Sequence, residues 1–178
     1  MAEIAIVGNG PARELYDDFD GTIIACNIPQ IKKYDYIAMV DRKALDYVIH
    51  NKLTFKKPIL IPTELKGRAQ EYQDTKIITT FQNKLMNCAA TAAFHFAQEY
   101  DTIWLYGCNA LWSEETKSSQ DEFIPRPYRA NNLHLQWRER WKQVWQTGKH
   151  FVIVHPHGVT PQDYGENVQW YSVTRANP

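Results

Sequence analysis

Ile4-Ala5-Ile6-Val7-Gly8-Asn9-Gly10-Pro11 is the stretch whose reading decides the fold. Its apolar half has no polar alternation, so a strand built from it must be buried on both faces, as strands of parallel sheets are. Gly8 and Gly10 let the backbone turn tightly and admit a ligand where a Cβ would block it. Pro11 suits the first position of a helix. The free N–H groups of that helix would then sit at the strand's carboxyl end, where anions bind in open α/β sheets. The third glycine of a dinucleotide fingerprint is replaced by Arg13, so the turn by itself leaves a ligand site and a purely geometric bend both open.

Working outward, the same grammar repeats. Apolar runs at 22–26, 36–40, 76–80, 101–106 and 151–154 read as further strands, and 58–62 as a short one whose flanking prolines suit a sheet edge or a strand margin. Helical stretches are predicted at 13–19, 42–51 and 87–99, the last rich in alanines that allow close approach to a sheet. Leu133, Trp137, Trp141, Val144 and Trp145 recur at helical spacing, which predicts a core-facing helix rather than a cofactor box. Strands alternating with helices predict a parallel sheet covered on both faces. Right-handed crossovers would then bring Gly8, Asn9, Gly10, Asn27, Asp41 and the Gly107-Cys108-Asn109 turn onto one rim. Core packing does not explain so many polar or glycine strand ends on one edge.

At 178 residues the chain reads as one domain. Its 20 acidic and 20 basic residues balance, which removes any global electrostatic case for nucleic acid or a membrane surface. Arg126, Arg129, Arg138, Arg140 and Lys142 do cluster with aromatic residues, but those on the Trp helix read more simply as its solvent face. No apolar run approaches the roughly 20 residues of a membrane span, and no signal core follows the N-terminus, so the expectation is a soluble cytoplasmic protein. Cys26, Cys88 and Cys108 are widely separated in apolar elements and read as buried free thiols. His155-x-His157 has two-ligand spacing but nothing nearby completes a set, so no metal is expected. The polar stretch from 113, followed by Pro125-Arg126-Pro127-Tyr128-Arg129, reads as a mobile loop at 113–130 placed to close over the rim.

The strand with Gly8-Asn9-Gly10-Pro11, the second strand ending in Asn27, and the small-residue helix leading to a strand ending in Gly107-Cys108-Asn109 resemble the Rossmann-like bacterial sialyltransferases that use CMP-sialic acid. They also resemble the related motility-accessory proteins, some of which are pterin pyrophosphokinases. The resemblance covers about residues 4–112. It implies a single-domain Rossmann-like three-layer α/β sandwich with a mostly parallel central sheet. It further implies a nucleotide-sugar-dependent glycosyltransferase, a CMP-type donor bound as substrate rather than as a tightly held cofactor, no metal, and a homo-oligomer. Motif match places the donor nucleotide on Gly8, Asn9, Gly10 and Asn27, with Asn87, Asn109 and Trp112 at further donor-contacting positions. The match departs at three points: Ala12 stands where the relatives carry Ser, Met86-Asn87-Cys88 lacks their glycine, and the nearest register to their catalytic histidine is Arg129.

A sugar transfer needs an acceptor base and groups that stabilise the leaving phosphate. From the residues alone, His155 or His157 after the last strand would supply the base, and Arg126, Tyr128 and Arg129 the stabilisation. Two alternatives stand beside transfer. One is a non-catalytic nucleotide-binding module of the same fold. The other is a Mg²⁺-dependent pyrophosphokinase-like transferase, for which Asp41 is the only strong rim carboxylate.

Overall fold

The computed structural model describes residues 2–72, 75–117, 123–124 and 129–173. Arg126 and Tyr128 lie outside the described residues, as does half of the loop expected to close over the rim. Eight strands form one sheet: β1 (Glu3–Val7), β2 (Thr22–Cys26), β3 (Tyr36–Ala38), β4 (Ile59–Pro62), β5 (Ile77–Phe81), β6 (Thr102–Tyr106), β7 (His150–Pro156) and β8 (Val168–Val173). Their spatial order is β5-β4-β3-β2-β1-β6-β7-β8, and every pairing is parallel. The expected α/β sandwich is present, with a sheet that is parallel throughout.

The period of two along each strand builds the layers. Ile4, Ile6, Ile24, Ile103, Leu105 and Ile153 share one core with the helices α3 (Cys88–Phe96) and α4 (Leu133–Trp145). The intervening residues Ala5, Val7, Ile23, Val152 and Val154 pack under a 3-10 helix, Pro11–Asp18. Farther along that second face, Ile37, Met39, Ile59 and Ile61 meet α1 (Arg42–His50) and the short α2 (Lys66–Ala69). Burying each such Ile or Val side chain is worth roughly 1.5–3 kcal/mol, which is what sets the register against a one-residue slip. α3 is buried nearly all round from Cys88 to Ala93, so its alanines give the close approach that their size predicts.

Of the two alternatives for 58–62, the prolines mark the strand margins and not a sheet edge. β4 is an interior strand between β3 and β5, and β5 is the edge. The sheet accommodates its prolines because Pro58 precedes the strand and the register slips at Ile61/Pro62, where a residue without an N–H cannot donate to the ladder. β8, the opposite edge, was not anticipated: Val168–Val173, half of whose residues are exposed, carries no clean apolar run. Among the described residues no helix is long and apolar enough to cross a membrane.

Strands β1 to β5 extend in one direction from β1, and β6 to β8 in the other. The order therefore reverses between β1 and β6, and crevices form outside the carboxyl ends of such a pair.

Candidate functional site

A cleft opens at that reversal point, with about 790 Å³ of empty space when its open mouth is included. Its floor is the Gly8-Asn9-Gly10 turn after β1 and the Gly107-Cys108-Asn109 turn after β6. One wall is Cys26, Asn27 and Asp41; the other is Lys84 and the start of α3 from Asn87 to Ala89. Glu115, Lys117, Trp137 and Trp141 complete it from the α4 side. The rim anticipated from the strand ends is thus one site, and Gly8, Asn9, Gly10, Asn27, Asn87 and Asn109 all line it.

The floor is closed upon itself. Gly8 N–H donates to Tyr106 O at 2.7 Å and Gly10 N–H to Gly107 O at 2.8 Å. A Cβ at Gly10 would come within 2.4 Å of Asn109 Oδ1 and 2.6 Å of Gly107 O, and one at Gly107 within 2.4 Å of Gly8 O. These glycines are required by chain packing against chain, and Gly107 also holds φ at +66°. The helix end expected to cradle an anion is occupied too. Ala12 N–H donates to Asn109 Oδ1 at 3.1 Å, Arg13 N–H to Gly10 O at 3.0 Å, and Pro11 has no N–H. Asn9 and Asn27 extend the tie: Asn9 Nδ2 donates to Cys26 O at 2.9 Å, and Asn27 Oδ1 accepts from Val40 N–H at 3.2 Å. Asn27 takes φ +54°, a left-handed conformation that Asn tolerates better than most residues.

The wall at α3 is different. Met86, with φ +65°, turns the chain into Asn87, whose Oδ1 accepts from Ala90 N–H at 2.8 Å as the helix N-cap. Asn87 is 8% exposed, and its Nδ2 is buried without a hydrogen-bond partner among the described residues. The N–H groups of Cys88 and Ala89, in the first turn, have no intrahelical acceptor by helical geometry. Both residues line the cleft, at the positive pole of the helix; the cleft's charged side chains balance, Lys84 (3.6 Å from Glu64) and Lys117 against Asp41 and Glu115.

All three cysteines of the chain meet in this cleft, a convergence that their sequence separation hides. Cys88 Sγ donates to Ala38 O at 2.9 Å. Hydrogen bonding to the Cys88 side chain, and burial, push the Cys26 thiol well above its ordinary value; burial pushes Cys108 up to about 12. Cys26 and Cys108 therefore act as small neutral lining at physiological pH. Among the described residues, no group of three or more His, Cys, Asp or Glu side chains is placed to hold a metal ion.

The remaining expected site residues lie elsewhere. His155 is 4% exposed, its Nδ1 stands 2.9 Å from Pro156 O, and its ring packs between Trp112 at 6.2 Å and Trp170 at 5.6 Å. It belongs to an aromatic layer, because an inward position on a buried strand delivers the ring to the core. His157, one residue past β7, is exposed. Neither histidine lines the cleft, nor do Trp112 and Arg129. Conversely, Lys84, Glu115, Lys117 and Trp137 line it without having been singled out for it. Trp137 carried a signal, as the one indole of its stripe nearest the rim loops. The charged three sit in stretches with no periodicity to read. Arg138 is also corrected from a solvent-facing cation to a tether: its Nε donates to Ala110 O at 2.7 Å and its Nη2 to Ser113 O at 3.1 Å, pinning α4 to the turn after β6.

Compared with protein-family models, curated proteins and solved structures, the chain finds no match, so its function is read from this geometry.

Proposed function

We propose that the cleft binds a nucleotide, with a CMP-type nucleotide sugar as its ligand, and that the phosphate sits at the N-terminus of α3. The observation that carries this is Asn87 Nδ2, a buried donor without a partner among the described residues, beside the first-turn N–H groups of Cys88 and Ala89, which have no intrahelical acceptor. Leaving such a donor unsatisfied costs roughly 1–3 kcal/mol, which a phosphate oxygen would restore. The first helical turn after Pro11 offers no comparable donors, since those that exist are spent on Asn109 and Gly10. The left-handed Met86 fits a chain held in an uncommon conformation to aim the α3 end. Thermal unfolding tests the proposal with CMP, CDP and UDP and their sugar conjugates at millimolar concentration. Ligand at about 100 times Kd adds roughly 2.7 kcal/mol, an easily read rise in Tm. No rise with any of them removes the reading.

Sugar transfer is the second reading, favoured by Glu115, an exposed carboxylate on the cleft, rather than by the histidines. A carboxylate beside a bound donor can take an acceptor's proton. Donor turnover that survives His157→Ala and falls by about 100-fold in Glu115→Gln supports it. Nucleotide binding without turnover leaves the non-catalytic module.

A further inference from the structure

Resting on the nucleotide reading, we propose that the indole of Trp137 is the platform on which the ligand's base stacks, so that the cleft selects a nucleoside-bearing phosphate over a bare sugar phosphate.

Trp137, Trp141 and Trp145 repeat every fourth residue of α4 and form one row along its inner side. The later two are core: Trp141 is 2% exposed, Trp145 is 6% exposed, and their rings stack at 5.0 Å with an 18° interplanar angle. The stack continues from Trp145 to Tyr164 at 5.6 Å. Trp137 is the member of the row that departs from this pattern. It is half-buried, it lines the cleft, and among the described residues no aromatic ring packs on it. A large flat apolar surface left beside polar walls is what a base requires, because every base offers a π-face.

The platform is also held in place. The two hydrogen bonds of Arg138, the next residue, fix this turn of α4 to the turn after β6, so the indole is positioned before ligand arrives. The same cleft is lined by Asn87, whose Nδ2 has no hydrogen-bond partner among the described residues, and by Cys88 and Ala89 in the first turn of α3. The lining thus combines donors for an oxyanion with an aromatic face, the two chemistries that a nucleotide requires.

Calorimetric titration of the whole protein with CMP, ribose 5-phosphate and inorganic phosphate tests this. The wild type should bind CMP at least about 10-fold more tightly than ribose 5-phosphate, since stacking on an aromatic side chain is worth about 10- to 100-fold per base. Trp137→Ala should lower CMP affinity by that factor and leave ribose 5-phosphate within about twofold, while Trp137→Phe keeps most of the CMP preference. Equal wild-type affinities for CMP and ribose 5-phosphate overturn the proposal even if no variant folds, and leave the phosphate site standing. Equal losses for both ligands in Trp137→Ala overturn it as well. Failure of all three ligands to bind wild-type protein removes the nucleotide reading itself, and the platform with it.

Discussion

Two turns on the same rim use glycine, asparagine and a helix start in opposite ways. At the β1 and β6 ends, Gly8, Gly10 and Gly107 bring two backbones into contact, and Asn109 takes up the N–H group of Ala12. At the α3 start there is no glycine, yet the cap residue keeps a buried donor unpaired among the described residues, and the two first-turn residues after it line the cleft. The glycine-rich turn, which looks like a ligand cradle in sequence, is a closure between strands. The turn without glycine is the one with donors to give. A glycine motif reports that something comes close to the backbone, and here that something is the chain itself.

The largest expected effect probes the closed turn. Gly107→Ala combines a left-handed φ with a Cβ 2.4 Å from Gly8 O, an overlap with backbone that no rotamer relieves. A loss of about 4 kcal/mol or more is expected in urea unfolding, independent of ligand. A loss below about 1 kcal/mol would mean that the two turns separate easily, and that the floor is open to ligand after all.

Next in size is an alkaline limb from the thiols beneath that floor. The folded Cys108 thiol, pushed up to about 12 by burial, holds its proton more tightly than the unfolded thiol near 9.0. Its stabilisation is complete below the unfolded value and is withdrawn as pH rises toward 12. The slope is about 1.4 kcal/mol per pH unit, or roughly 3 kcal/mol by pH 11. Cys26, also raised, acts in the same direction. Cys108→Ala should flatten its share of this limb in denaturant titrations between pH 8 and 11. An unchanged limb would show that Cys108 ionises freely in a wetter cleft.

Asn109→Ala removes the acceptor for Ala12 N–H and is expected to cost about 2 kcal/mol, with Asn109→Asp recovering much of it because the acceptor returns. If both variants bind CMP as the wild type does, the closed turn is scaffold. Loss of CMP binding in Asn109→Asp at unchanged stability would move ligand contacts back to the floor.

The division between these turns marks what the sequence discloses. Strand identity was legible because Ile4 to Val7, Ile23 to Cys26 and Ile103 to Leu105 carry dense apolar runs, and the convergence of Asn27, Asp41 and Asn109 follows from parallel pairing alone. The edge strand β8 was not legible, since one exposed face dilutes its pattern. Nor was the bonding state of each asparagine. Asn9, Asn27, Asn87 and Asn109 look alike in sequence, and only the positions of Cys26 O, Val40 N and Ala12 N show which amides are already engaged. The meeting of Cys26, Cys88 and Cys108 at one cleft was hidden for the same reason, being a product of strand order rather than spacing.

The sharpest test changes stability least. Asn87→Asp keeps an oxygen for Ala90 N–H, so the cap survives, and a carboxylate at the positive end of α3 adds roughly 0.3–1 kcal/mol of favourable dipole interaction. Unfolding should therefore stay within about 1 kcal/mol of wild type. The substitution nevertheless deletes the Nδ2 donor and puts negative charge where the phosphate is proposed to lie. Affinity for CMP should fall by at least about 10-fold, since a charge-assisted hydrogen bond contributes roughly 1.5–3 kcal/mol. Unchanged stability with lost affinity locates the anion at the open turn. Unchanged affinity would place it elsewhere on the rim, and the contrast between a closed turn and a receptive one would fail at its receptive half.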